Sequence, residues 1–278
     1  MPRPGAQELC VIQYRMAHNG PRDGLCRHFI VSPPLSIHEN ELAARGYTIV
    51  RDVLSPAEVA ELREIVDALY RLHDPGIDFE GLSIADGRPD GRRPERGASA
   101  RGYNFATGLL TKHSAMWPLV SREPVISLIR SILGPDCVLS SLNSLEPLHA
   151  RGHQPLHRDE GPVGPEGFVT ANSIWVLDSM DAGNGATRLI PGTHITAELA
   201  DDADTRLTYA CAPAGSVVVT NAHVLHGASV NRDGRRRRVI HGYFTRRGRK
   251  CQMDFRQYSS PAALARLPDP CRALLDLD

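Results

Sequence analysis

Lysine is almost missing from this sequence. Only Lys112 and Lys250 occur in 278 residues, leaving 30 arginines among the 32 basic residues. The skew reads as a GC-rich coding bias, and 32 acidic residues bring the formal net charge to zero. A neutral chain has no global attraction for nucleic acid or for an anionic membrane surface. The runs Arg235–Arg238 and Arg246-Arg247-Gly248-Arg249-Lys250 lack interleaved aromatics, so they read as solvated strand ends, not an RNA-binding surface. Also missing is any apolar run approaching the ~20 residues of a membrane span. Arg3, Glu8 and Arg15 interrupt the N-terminus, which excludes a signal-peptide core. The six cysteines (Cys10, Cys26, Cys137, Cys211, Cys251, Cys271) form no Cys-x-x-Cys pair and read as reduced, mostly structural thiols. The expectation is a cytoplasmic protein, monomeric or homodimeric, with no membrane or nucleic-acid partner.

What is present fits an ordinary globular chain: 41% hydrophobic and 23% charged residues, long enough for one substantial domain. Residues 1–38 have no periodicity and read as a poorly ordered arm. Ser55-Pro56-Ala57-Glu58 is a capping box with proline at the first helical position. Val59, Leu62, Ile65, Val66 and Leu69 then recur at helical spacing, which predicts a helix to about Tyr70. A second helix is expected over Pro124–Leu133, stopped by Gly134-Pro135. Between them, residues 73–108 are dense in Gly, Pro, Asp and Arg, the composition of a lid or an insertion. From Cys137 to about Phe255 short strands alternate with turns: Val138–Leu142, Pro155–Asp159, Phe168–Leu177, Ala186–Ile190, Thr208–Cys211, Gly215–Thr220 and Arg237–Thr245. One domain over 39–258 is expected, with its β core at about 137–255. The tail, 259–278, would contain a short helix over Ala262–Leu267.

The chemistry centres on His157-Arg158-Asp159 and on His226, 67 residues after Asp159. Alternate residues of a strand share a face, so His157 and Asp159 can reach one metal while Arg158 points away. Two imidazoles and a carboxylate can occupy one face of a ferrous ion and leave the other open. Asn231–Gly234 has hairpin-turn chemistry, which would bring an arginine of the returning strand beside His226. A guanidinium there could grip a carboxylate through two parallel hydrogen bonds. Alternation puts Arg235 and Arg237 on one face and Arg236 and Arg238 on the other, so geometry alone leaves the choice open. Among further histidines of the strand region, His153 belongs to the approach loop, His194 ends a turn, and His223 faces away from His226.

Three blocks extend beyond this constellation: Leu42–Ser55, Gln154–Asp159, and Trp175–His194 with its Asn-Gly-Ala-Thr-Arg-Leu-Ile-Pro-Gly-Thr-His ending. Together with His226 they resemble the phytanoyl-CoA dioxygenase-like family of iron(II)/2-oxoglutarate oxygenases over roughly residues 41–247. The resemblance implies a mainly β fold with flanking helices around a double-stranded β-helix (a cupin-like jelly roll). It implies Fe(2+) held by His157, Asp159 and His226, with 2-oxoglutarate and O2 as co-substrates. Its eleven-residue offset from His226 selects Arg237 as the co-substrate anchor, with Arg238 as runner-up. Thr187, Gln154 and Trp175 are carried over as co-substrate contacts, and Lys112 matches loosely. Ala228 departs from the family's frequent serine. Asp159 stands where related halogenases have a small residue, which favours an oxygenase reaction. The implied activity is hydroxylation of a small molecule in specialised metabolite biosynthesis, releasing succinate and CO2. Two other readings remain open: a catalytically silent jelly-roll binding protein, and a cupin-type metal-dependent isomerase or hydrolase.

Overall fold

The computed structural model describes residues 35–72 and 102–277. Most of the expected arm, and residues 73–101 of the expected lid, lie outside them. The described chain opens with α1 (Leu35–Arg45), so residues 35–38 are helical, and His38 is buried with its Nδ1 2.8 Å from Thr48 Oγ1. The capping box forms as expected at the start of α2 (Pro56–Leu72). Ser55 Oγ accepts from the Glu58 N–H at 3.3 Å, and the Glu58 carboxylate accepts from the Ser55 N–H at 2.8 Å. Hydrogen bonds from Arg122 and Ser55 hold the Glu58 carboxyl down at about 2. Short helices α3 (Leu109–Lys112) and α4 (Trp117–Ser121) lead into α5 (Val125–Leu133), which Gly134 ends at positive φ.

Among the described residues nine strands form two antiparallel sheets. The larger runs β1 (Tyr47–Val50), β7 (Val217–Asn221), β4 (Thr170–Val176), β9 (Val239–Arg246), β3 (Cys137–Pro147) and β2 (Tyr103–Ala106). The smaller runs β6 (Thr208–Tyr209), β5 (Thr187–Ile190) and β8 (Leu225–Ala228). Side-chain alternation sorts the larger sheet into two faces. Trp175, Val217, Val219, Ile240 and Phe244 pack with Leu62 and Val66 of α2 and Ile126 and Ile129 of α5. Ile174, Val176, Val218 and Val239 face the other way, onto Leu189 of β5 and Ala210 just after β6. The result is a jelly roll with a helical layer on one side, the expected fold class.

Several elements differ from expectation. Residues 103–106 are not lid but strand β2, paired with β3 from Tyr103↔Pro147 to Ala106↔Ser144. Pro155–Asp159 is not a full strand; it makes one antiparallel bridge, His157↔His226. The Asn231–Gly234 turn forms, with Gly234 at φ +74 and its N–H on Asn231 Oδ1 at 3.0 Å. It does not close a hairpin, because β8 belongs to the smaller sheet and β9 to the larger. The tail is no appendage. After α6 (Phe255–Tyr258), helices α7 (Pro261–Ala265) and α8 (Asp269–Leu274) set Leu267, Cys271 and Leu274 into the helix-side core.

Candidate metal centre

The bridge between residues 157 and 226 creates the site. Each backbone N–H donates to the other residue's carbonyl, at 2.8 and 2.9 Å, and the two imidazole centroids lie 4.6 Å apart. Their close approach requires glycine at 227, where a Cβ would stand 2.7 Å from Gln154 O and 2.9 Å from Pro155 O. Asp159 is anchored two residues on, its N–H donating to Ala222 O at 3.1 Å. Asp159 Oδ1 is 3.6 Å from His157 Nε2 and 3.7 Å from His226 Nε2, and one ligand atom from each residue lies within 4.8 Å of the others. Arg158 turns to the opposite side, as alternation requires. It donates to His223 O at 2.9 Å and to Glu198 O at 2.8 Å.

The surrounding bonds orient the ligand-type atoms toward one another. His157 Nδ1 lies 2.9 Å from Pro155 O, and His226 Nδ1 lies 2.9 Å from Val224 O. A carbonyl only accepts, so each Nδ1 carries the proton and each Nε2 presents its lone pair to the site. Asn172 Nδ2 donates to Asp159 Oδ2 at 2.8 Å, leaving Oδ1 beside the imidazoles. Burial alone would raise the Asp159 carboxyl. The imidazoles of His226 and His157 and the Asn172 amide outweigh it and hold Asp159 below the usual carboxylate range. The Asp159 contact in turn raises His157 above the ordinary histidine value, against the opposing effect of burial.

The four consecutive arginines have four different surroundings. Arg235 is exposed and pairs with Asp181 and Asp233, both at 2.7 Å. Arg236 is not simply solvated, as alternation alone suggests: it bonds Glu146 at 2.5 Å and Asp67 at 2.8 Å. Arg238 bonds Asp178 at 2.7 Å and Asp67 at 2.8 Å. Arg237 is buried, 4% exposed, and among the described residues has no carboxylate partner. One of its terminal nitrogens donates to Thr187 Oγ1 at 3.3 Å, its Nε has no acceptor, and burial lowers its pKa. Thr187 therefore stands with Arg237, on β5. Gln154 lies beside β8, its Oε1 accepting from Ala228 N at 3.2 Å.

Trp175 is a correction. It is fully buried on the helix-packed face of β4, its indole donating to Ser173 Oγ at 3.2 Å, while the metal-side residue Asn172 lies on the other face. An odd number of residues between two strand positions keeps them on one face, and 172 and 175 are three apart. Of three further groups on the site face, the sequence reading missed Asn172 and Tyr243 and counted His241 among the strand-region histidines without giving it a role. Asn172 holds the Asp159 carboxylate; Tyr243 donates to Glu160 Oε1 at 3.0 Å; His241 lies between them and Arg237. Their signal was polar residues alternating with apolar ones inside otherwise buried strands.

The phytanoyl-CoA dioxygenase (PhyH) profile matches residues 42–239. The chain belongs to the phytanoyl-CoA dioxygenase family. It is a dioxygenase-type oxidoreductase. An uncharacterised Mycobacterium tuberculosis protein is 25% identical over 247 residues, 85% of each chain. Dioxygenase af480 of Aspergillus fumigatus is 27% identical over 213 residues, 73% of this chain and 64% of that protein. The fold is similar to that of several solved structures. SnoN, the alpha-ketoglutarate-dependent non-haem epimerase of nogalamycin biosynthesis, superposes with a TM-score of 0.58 at 18% identity, covering 76% of this chain and 83% of its own. HygX of Streptomyces hygroscopicus, solved with nickel and 2-oxoglutarate, gives 0.59 at 11% identity over 76% and 87%. No helix among the described residues is long and apolar enough to cross a membrane.

Proposed function

We propose that this family member is an iron(II)- and 2-oxoglutarate-dependent dioxygenase that hydroxylates a small molecule of specialised metabolism. One observation carries the reading. A His-Asp-His cluster with its lone pairs aimed inward shares the β-sandwich with a buried guanidinium that has no carboxylate partner among the described residues. An uncompensated buried cation is costly, and a dicarboxylic ligand bound at both places supplies the missing anion. SnoN has been solved with Fe3+, alpha-ketoglutarate and nogalamycin RO, and HygX with nickel, 2-oxoglutarate and hygromycin B. A silent binding protein has no need of both the cluster and the orphan arginine.

His157, Asp159 and His226 would hold iron(II), which when bound supplies the redox chemistry for activating dioxygen. The chain's own groups do the rest. Pro155 and Val224 carbonyls fix the imidazole tautomers, Asn172 fixes the carboxylate, and Arg237 with Thr187 receives the far carboxylate of 2-oxoglutarate. The net reaction balances as substrate C–H, O2 and 2-oxoglutarate giving alcohol, succinate and CO2, with one oxygen atom in each oxidised product.

Iron-loaded protein held anaerobic should bind 2-oxoglutarate in a calorimeter, and on aeration should release succinate only with iron, oxygen and 2-oxoglutarate together. His157→Ala and His226→Ala should abolish iron retention and turnover. Absence of 2-oxoglutarate binding to the iron-loaded wild type overturns the proposal.

A further inference from the structure

One half-buried titratable group on the site face, His241, takes no part in that chemistry. His241 sits mid-strand in β9, opposite Asn143 of β3 and Ile174 of β4. Its direction follows from its neighbours. Ile240 and Phe244 pack on the helix side, whereas Val239 packs in the cluster between the sheets, so His241 and Tyr243 project inward with Val239. Arg237, two residues before Val239, continues the same column.

That column has two marked ends. At one, Tyr243 bonds Glu160, the residue after Asp159, and pairs across the sheet with Asn172, which holds the Asp159 carboxylate. At the other, Arg237 meets Thr187. His241 occupies the position between them, and it feels the charge of Asp159, His226 and Arg237 together. Burial keeps the imidazolium down at about 4, so the ring is neutral near pH 7, with one N–H donor and one acceptor nitrogen. Among the described residues neither nitrogen has a hydrogen-bond partner, while Asn143 beside it accepts from Thr107 Oγ1 and Gly108 N and donates to Ser141 Oγ.

We propose that His241 is a second co-substrate-binding residue, whose imidazole N–H donates to the carboxylate at the metal-proximal end of 2-oxoglutarate while Arg237 holds the distal one. The inference rests on the co-substrate reading above. It adds a division of labour: His241 on β9 and Arg237 in the connection just before that strand read the two ends of a dicarboxylate. A neutral donor suits the proximal end, because a second buried cation would repel the metal.

The test compares two ligands on anaerobic protein loaded with Mn(2+) or Fe(2+). 2-Oxoglutarate has both carboxylates; pyruvate keeps the carboxylate and keto group of the proximal end but lacks the distal carboxylate. His241→Phe keeps the ring volume and removes both nitrogens. It should weaken 2-oxoglutarate and pyruvate alike by about 10- to 100-fold, the usual effect of losing a hydrogen bond to a charged group. Arg237→Ala should weaken 2-oxoglutarate and leave pyruvate unchanged. His241→Gln, which restores an N–H, should recover part of the loss, and it carries the test if the phenylalanine variant does not fold. Metal affinity, measured without either ligand, should stay within about twofold of wild type in all variants, since the ligands are elsewhere. Wild-type affinity for both molecules in the His241 variants overturns the proposal, as does a loss confined to 2-oxoglutarate. If the wild type itself binds no 2-oxoglutarate, the co-substrate reading fails first and this inference falls with it.

Discussion

Replacing Arg237 by methionine should have opposite effects on the empty and the liganded protein. In the empty protein Arg237 is a guanidinium at 4% exposure with one 3.3 Å hydrogen bond and an unpartnered Nε. Burying a charge costs several kcal/mol, and replacing buried ionic groups by apolar side chains of similar volume is often stabilising by about 1–4 kcal/mol. Arg237→Met should therefore leave metal-free stability unchanged or raise it, by about 1 kcal/mol or more, a shift of roughly 2–4 °C in Tm for a domain of this size. In the liganded protein the same change removes one partner of a desolvated charge pair. That costs roughly 2–5 kcal/mol, a loss of about 30-fold to a few thousand-fold in 2-oxoglutarate affinity. Arg238→Met is the control. Its guanidinium pairs with Asp178, a carboxylate itself only 13% exposed, so the variant should lose roughly 3–5 kcal/mol of stability. Melting curves of the metal-free proteins and anaerobic calorimetry of the metal-loaded ones read both effects. A destabilised Arg237→Met with unchanged affinity for 2-oxoglutarate would refute the argument, because it would mean that the arginine serves packing alone.

Two further outcomes concern the metal. Asn172→Leu removes the 2.8 Å donor to Asp159 Oδ2 and should weaken metal binding by about 10- to 100-fold in a competition titration with a chelator; unchanged affinity would show that Asp159 is oriented without it. Metal affinity should also depend on pH. His157 has its pKa raised by Asp159 in the metal-free protein, and the metal must displace that proton. Affinity should therefore be full above the raised value and decline by up to about tenfold per pH unit below it, with Asp159, shifted the other way, contributing only in far stronger acid. A flat profile between about pH 8 and pH 5.5 would contradict this.

The parts of the fold legible in the sequence were those whose signal is local. The capping box at Ser55 and the apolar spacing after it specify α2 on their own. The long β-branched stretches of β4, β7 and β9 likewise declare themselves. What was missed depends on partners far along the chain. Tyr47–Val50 and Tyr103–Ala106 are only four residues each and become strands by pairing with β7 and β3. Leu225–Ala228 contains a glycine, and its partner β5 lies some forty residues away. The hairpin expectation failed for the same reason: turn chemistry at Asn231–Gly234 reports the turn but not which sheet each flank joins. Within the site, the spacing of His157 and Asp159 needed only strand periodicity. Arg237 was singled out among four arginines only by the family offset from His226; alternation could not separate them, because the carboxylates of α2, β3 and the loop after β4 that take up Arg236 and Arg238 lie far along the chain. Trp175 misled because a motif match carries no information about which face of a strand a side chain occupies.

The connection from β8 to β9 passes from one sheet of the sandwich to the other, with His226 at its near end and Arg237 at its far end. A molecule held at once by a metal on His226 and by Arg237 would bridge the two sheets, acting as a removable cross-tie through the middle of the barrel. Its binding energy would then be spent against separation of the sheets, and occupancy would add RT ln(1 + [L]/Kd) to the stability of the whole domain, about 2.7 kcal/mol at a hundredfold excess over Kd. The amides that should slow most in hydrogen exchange are those of the smaller sheet, β5 and β8, which has only three strands and draws least support from the helical layer. Catalytic readiness and mechanical closure of the sandwich would rise and fall together with the supply of one small dicarboxylate.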